Sequence, residues 1–179
     1  MKQIKQTGFV MFSSLIFLVL MIYIGLAMFR GFGLDQVMAG NLREKSRATE
    51  AAQSAMQYAQ WWLVQATNAS NGVACTAGAK SKATICTGTP NANPLSDAYA
   101  TYADSTKIPV STTGGVGKYY ASPVYTIYFA GMDTSSCARF YLITAKGYGG
   151  NQNAVATLQS VYRVIPGQIK DLGQDNTCN

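Results

Sequence analysis

From Phe9 to Phe29 the chain carries 21 residues without a formal charge, and beyond them the hydrophobic pattern changes from continuous to periodic. At 1.5 Å of rise per residue the continuous part makes about 31 Å of helix, matching a hydrocarbon core of roughly 30 Å. Leu34, Met38, Leu42, Ala48, Ala52, Ala55, Ala59 and Trp62 then mostly recur at three- or four-residue spacing. Arg43, Glu44, Arg47, Glu50 and Gln53 take the other faces. The pattern predicts a membrane-spanning helix that continues as an amphipathic stalk to about Gln65. Between the two parts lies RGFGL, where Gly31 and Gly33 each lower helix propensity by roughly 1 kcal/mol relative to Ala. They mark a joint that can stretch or unwind, unless they are simply poor helix residues.

After the stalk the pattern weakens. Residues 67–117 are rich in Thr, Ala, Gly, Ser, Asn and Pro and read as a long loop-rich excursion, with Tyr99 and Tyr102 either packed or exposed. Strand signals follow in KYYASPVYTIYFA, ARFYLITAK and NAVATLQSVYRVI, each rich in β-branched or aromatic residues and bounded by Gly, Asn or Asp. The connections GMDTSSC and GYGGNQ are short enough for antiparallel hairpins, so the three should form a meander. Pro123 suits an edge or a strand start. Such a sheet needs an apolar cover, and Ala48 to Leu63 is the only long candidate. The expected class is α+β, with a long N-terminal helix on a C-terminal antiparallel sheet. The chain divides into a leader (1–8), a membrane segment (9–29), a stalk (30–66), the loop-rich region (67–117) and the sheet with its tail (118–179).

Composition fits an exported surface better than a cytosolic enzyme. Only 12% of residues are Asp, Glu, Lys or Arg, against roughly 25% for a typical soluble protein. The net charge of +6 is largely gathered near the apolar segment, at Lys2, Lys5, Arg30, Arg43, Lys45 and Arg47, so it makes no patch that calls for direct nucleic-acid binding. A cleaved secretory signal would have a shorter apolar core followed by a small-residue site, whereas here Gly8 precedes the run. Lys and Arg flank the segment on both sides and do not fix its orientation. The cysteines do: Cys75, Cys86, Cys137 and Cys178 all follow it, which puts that side in an oxidising compartment and the leader in the cytoplasm. Three connectivities are open. Cys75–Cys86 with Cys137–Cys178 is favoured, the first closing a loop of about a dozen residues for on the order of 3 kcal/mol. The competing zinc reading lacks both histidine and close cysteine pairs.

Catalytic chemistry is not apparent, since the chain has no histidine and no convergent acid, base or nucleophile. GGVGK resembles the end of a phosphate-binding loop, but Tyr119 stands where Ser or Thr is required and Thr112 where the first Gly is, so a turn is expected. GYGG lacks the context and spacing of a dinucleotide fingerprint. Asp171, Asp175 and Asn176 lack the remaining ligands of a calcium loop, and the NAS triplet at Asn68 is assigned no role. No cofactor is expected.

The basic leader ending in Gly8, the aromatic Phe9, the spanning helix that becomes a stalk, and the disulfide-bearing β domain together resemble a type IV pilin. DQVMAGNLREKSRATEAAQSAM is similar to the MAGN-x-R and alanine-rich segment of minor pilins of the PilX type. YLITAKGYGGNQNAVATLQSVYRV is similar to their C-terminal I-T-A-[KR]-G strand, Gly-rich turn and V-x-LQS-x-[YVF]-R strand. With the leader these blocks cover about half the chain. The resemblance implies cleavage by a prepilin peptidase between Gly8 and Phe9 and N-methylation of Phe9. It also implies the inner membrane before assembly and the pilus after it. Its implied partners are other minor pilins, the major pilin, the inner-membrane assembly platform and a PilY-type adhesin.

One departure from the family pattern is informative. Most major pilins carry glutamate at the fifth mature position, thought to pair with the terminal ammonium of the neighbour assembled before it, and here that position is Ser13. An unpaired charge in an apolar medium costs several kcal/mol or more, so a subunit without the acid suits the first position, the filament tip. A serine tolerated anywhere in the fibre is the alternative. Rival readings of the whole chain are a tip pseudopilin of a type II secretion machine and a single-pass anchor bearing a periplasmic binding module.

Overall fold

The structure, a computed structural model, describes residues 8–65, 67–90, 100–134 and 138–165. Contacts divide the chain into two units, residues 1–42 and 43–179. Helix α1 (Gly8–Val64) supplies the first unit and opens the second.

In the first unit the apolar side chains from Phe9 to Phe29 face outward and none of the most apolar window is buried. Among the described residues α1 is the one helix long and apolar enough to cross a membrane. The helix continues through Gly31 and Gly33, so the joint expected at RGFGL is helical in this structure.

In the second unit the stalk packs on the sheet, with Ala55, Ala59 and Leu63 in the main core and Ala48 and Ala52 in a smaller cluster with Ala156. Ala48, Ala51, Ala52, Ala55, Ala59 and Leu63 are each at most 4% exposed. They recur at helical spacing, so their small side chains form one stripe on which a sheet can come close. The helix ends where Asn68 Nδ2 donates to the Trp62 carbonyl at 2.8 Å and the Gln65 N–H closes a tighter turn on the same oxygen, satisfying a carbonyl that would otherwise be orphaned.

The predicted meander is present as β5 (Val124–Met132), β6 (Arg139–Tyr148) and β7 (Val155–Val164). Both pairings are antiparallel, with Ile127 opposite Ile143 and Ala145 opposite Leu158. Pro123 lies just before β5, as expected of a strand start. Phe129 and Gly131 of β5 oppose consecutive residues of β6, and Gly131 takes a φ of +136°, a bulge conformation that suits glycine.

The described residues of the 67–117 region carry more regular structure than their composition suggests, and they add parallel pairings to the expected antiparallel meander. Four short strands, β1 (Gly72–Ala74), β2 (Gly78–Lys80), β3 (Ile85–Thr87) and β4 (Ala100–Tyr102), bring the sheet to seven. β3 pairs with β5 in parallel and β4 pairs with it antiparallel, along the edge that β6 leaves free. Each is three residues long, too short to show period-two patterning. Their apolar residues nevertheless close the core: Ile85 is buried against it, and Tyr102 packs edge-on to Tyr125 at 5.6 Å.

Cys75 and Cys86 are joined, with Cα atoms 5.2 Å apart, and Cys86 packs on Tyr128. The other favoured pair, Cys137 and Cys178, lies outside the described residues, as do Tyr99, Asp171, Asp175 and Asn176. Replacing Cys75 and Cys86 together by alanine should lower stability by about 2–3 kcal/mol. Urea denaturation of the oxidised wild type and the variant measures it.

Candidate functional site

Inward residues of β6 shrink along the strand. Tyr141, Ile143, Ala145 and Gly147 share one face and are all buried, because alternate strand residues point the same way. At the wide end Tyr141 Oη donates to the Ala69 carbonyl, which also accepts from Arg139 Nη1 at 3.1 Å. At the narrow end a methyl on Gly147 would collide with Ala48 O and Ala52 N and stand 3.0 Å from Ala51 C. The strand backbone therefore lies directly on the helix backbone, and only glycine facing alanines permits it.

A polar clamp surrounds that contact. Glu44 accepts a hydrogen bond from the Gly150 N–H and pairs with Arg47 at 2.9 Å. Arg47 Nη2 donates to the carbonyls of Gly117 and Lys118, the latter at 2.8 Å, and its guanidinium lies 4.5 Å from the Tyr119 ring centre. Lys45 Nζ donates to the Val155 carbonyl. Three charged stalk residues within one turn, Glu44, Lys45 and Arg47, thus hold the β6–β7 turn and the 117–118 turn. GGVGK forms the second of these, with Lys118 N–H reaching Gly115 O.

The Gly150 N–H holds the Glu44 carboxyl below its ordinary range, with Arg47 and Arg43 adding to the effect and desolvation opposing it. A lowered folded-state value stabilises the fold fully above the unfolded value of about 4.5, and the contribution is lost as pH falls through the folded value. Glu44→Gln should therefore melt below wild type at pH 7. The gap should narrow as pH falls below about 4.5, as thermal melts across pH will record.

The residues singled out from sequence do not converge. Gly8 begins α1, and Phe9 is 77% exposed. Ser13 donates to the Val10 carbonyl at 3.0 Å, so its hydroxyl is satisfied within the helix and carries no unmet polar demand into an apolar medium. Gly33 has open space around it. Among the described residues there is no cluster of three or more His, Cys, Asp or Glu that could hold a metal. The polar clamp was not anticipated from sequence. Its signal was the charged EK-x-R run, Glu44, Lys45 and Arg47, on the helix face next to the alanine stripe.

The two sequence blocks that resemble PilX-type minor pilins are therefore the two sides of one contact, alanines against glycine with a charged clamp at its end. The family model for the C-terminal part of type IV pilus assembly protein PilX matches residues 47–164. The chain belongs to the PilX family. No match was found among curated proteins or among solved structures. The PilX match runs from Arg47 in the clamp to Val164 at the end of β7, so it spans both sides of the helix–sheet contact. Membership makes this a protein of type IV pilus assembly, and its single apolar helix among the described residues fits membrane anchoring.

Proposed function

We propose that this PilX-family protein is a non-enzymatic minor pilin that acts in the priming or tip complex of a type IV pilus. The family match over residues 47–164 carries the pilus reading, and the identity of Ser13 carries the position. Processing falls between Gly8 and Phe9, leaving N-methylated Phe9 with its ammonium available to the glutamate of the next subunit. Ser13, its hydroxyl committed to Val10 O, leaves nothing to neutralise an ammonium above it, so the subunit caps the stack and does not extend it upward.

The second unit faces the periplasm before assembly and the exterior afterwards, where the Cys75–Cys86 bridge is stable. Partners are other minor pilins, the major pilin and the assembly platform, with a PilY-type adhesin on the exposed domain. Gly31 and Gly33, helical in the isolated subunit, extend or unwind when neighbouring helices pack, since glycine weakens that stretch most. The filament so primed serves adhesion, twitching motility or DNA uptake.

Mass spectrometry of sheared filaments tests processing: a mature terminus other than methylated Phe9 contradicts it. Cross-linking tests position. Wild type should be confined to one end, and Ser13→Glu should appear within the fibre. An even distribution of wild type, unchanged by the substitution, would overturn the tip assignment and leave the pilin assignment standing.

A further inference from the structure

Beside the helix–sheet contact, the second unit carries a groove of about 560 Å³ that pilus assembly does not explain. Its floor is one stripe of α1, Ser54, Gln57, Tyr58 and Trp61, and its wall is a loop that includes Lys107 and Val110. The groove is open along its length, so an occupant would lie across the surface and not be enclosed. We propose that this groove binds an acidic saccharide.

The wall is fixed independently of any ligand. The Asp104 carboxylate accepts from Thr106 Oγ1 at 2.7 Å, from the N–H groups of Thr106 and Lys107 at 3.2 and 3.1 Å, and from Tyr58 Oη at 3.2 Å. The Ile108 N–H donates to Asp104 O at 2.8 Å, and the Ile108 side chain is buried in the core. One carboxylate thus ties the loop to the aromatic ring that forms part of the floor. A site already ordered loses little freedom on binding. With its lone pairs engaged by these donors, Asp104 sits behind the wall and does not line the groove.

Three features specify the occupant. Tyr58 and Trp61 lie with ring centres 5.4 Å apart at an interplanar angle of 31°, and Trp61 is 54% exposed. Their electron-rich faces attract the polarised C–H groups of a pyranose ring as they attract the edge of another aromatic ring. Gln57 offers both amide donors and a carbonyl acceptor. The Ser54 hydroxyl donates to Glu50 O at 3.0 Å and keeps its own lone pairs, so sugar hydroxyls find acceptors and donors together. Finally, among the described residues Lys107 has no ion-pair partner and no carboxylate lines the groove. A ligand carboxylate would supply the missing charge. An extended acidic peptide would meet the lysine equally well, but its backbone would face a helix surface whose own N–H and C=O groups are already paired.

The full-length protein in detergent micelles provides the test, titrated with trigalacturonic acid, with neutral galactotriose and with hexaglutamate. Binding is followed by tryptophan fluorescence and by saturation-transfer NMR on the ligands. Trigalacturonic acid should saturate with a Kd of about 1 mM or tighter. Trp61→Ala should weaken binding at least about tenfold, the loss expected when an exposed aromatic anchor is removed. Lys107→Gln should abolish the preference over galactotriose while leaving residual binding of both sugars. Both side chains are on the surface, and unchanged melting of Lys107→Gln keeps the charge comparison valid if Trp61→Ala is destabilised. Absence of saturation, equal affinity for the neutral sugar in the wild type, or tighter binding of hexaglutamate that depends on Lys107 would each overturn the assignment.

Discussion

Gly147→Val is expected to unfold the second unit under conditions where the wild type is intact. Even a single methyl at this position runs into the helix backbone at Ala48 and Ala52, and backbone cannot turn aside as a flexible side chain does. Overpacking in a core usually costs about 1–3 kcal/mol, with larger losses where nothing can yield. A loss of at least about 3 kcal/mol is therefore expected, against a total of about 5–15 kcal/mol for a domain. Urea denaturation followed by tryptophan fluorescence reads it, and an unmoved midpoint would mean that the helix does not rest on β6 as described. Gly33→Ala is the contrasting control: the added methyl meets open space, and helix propensity should rise by about 1 kcal/mol.

The second large effect is expected at the opposite end of the same strand. Tyr141 is fully buried, packs against Phe129 with ring centres 5.9 Å apart, and holds the Ala69 carbonyl. Truncation to alanine should cost about 3–5 kcal/mol, as for other large buried aromatics. Tyr141→Phe keeps the ring and removes only the hydroxyl. Arg139 still donates to Ala69 O, so that carbonyl is not orphaned and the loss should be nearer 1 kcal/mol. Equal destabilisation by the two substitutions would show that the hydrogen bond, and not the ring, supports this end of the core.

How far the sequence revealed the molecule depended on the length over which each pattern ran. Ala48 to Leu63 and the three long strands repeat their periods several times, so helix, meander and the contact between them were all readable. β1 to β4 have three residues each, less than two full periods of alternation, and their pairing is set by where the Cys75–Cys86 bridge and β5 hold them. The parallel partnership of β3 with β5 could not be read locally, because its partners lie about 40 residues apart and only the assembled sheet brings them together.

For the site the division was similar. Ser13 and Gly8 were visible as single residues in a chemically unusual place. The clamp was harder to see because Glu44 and Arg47 look like an ordinary solvent-facing pair at helical spacing, and only the fold brings Gly150, Gly117 and Lys118 to them. Asp104 was overlooked for the same reason: its role depends on Tyr58, 46 residues earlier, and on the tight loop that its own carboxylate builds.

The decreasing side-chain size along β6 also separates what can be exchanged from what cannot. Residues of the 67–117 region, Ala69, Ile85 and Ile108 among them, enter the core alongside Tyr141 and Ile143, where side chains intervene between backbones and can be traded for others of similar volume. At Gly147 there is no side chain to trade. A lineage can therefore rebuild the decorated end of this domain, disulfide loop and groove included, while the stalk keeps the same seat, much as interchangeable tool heads share one socket.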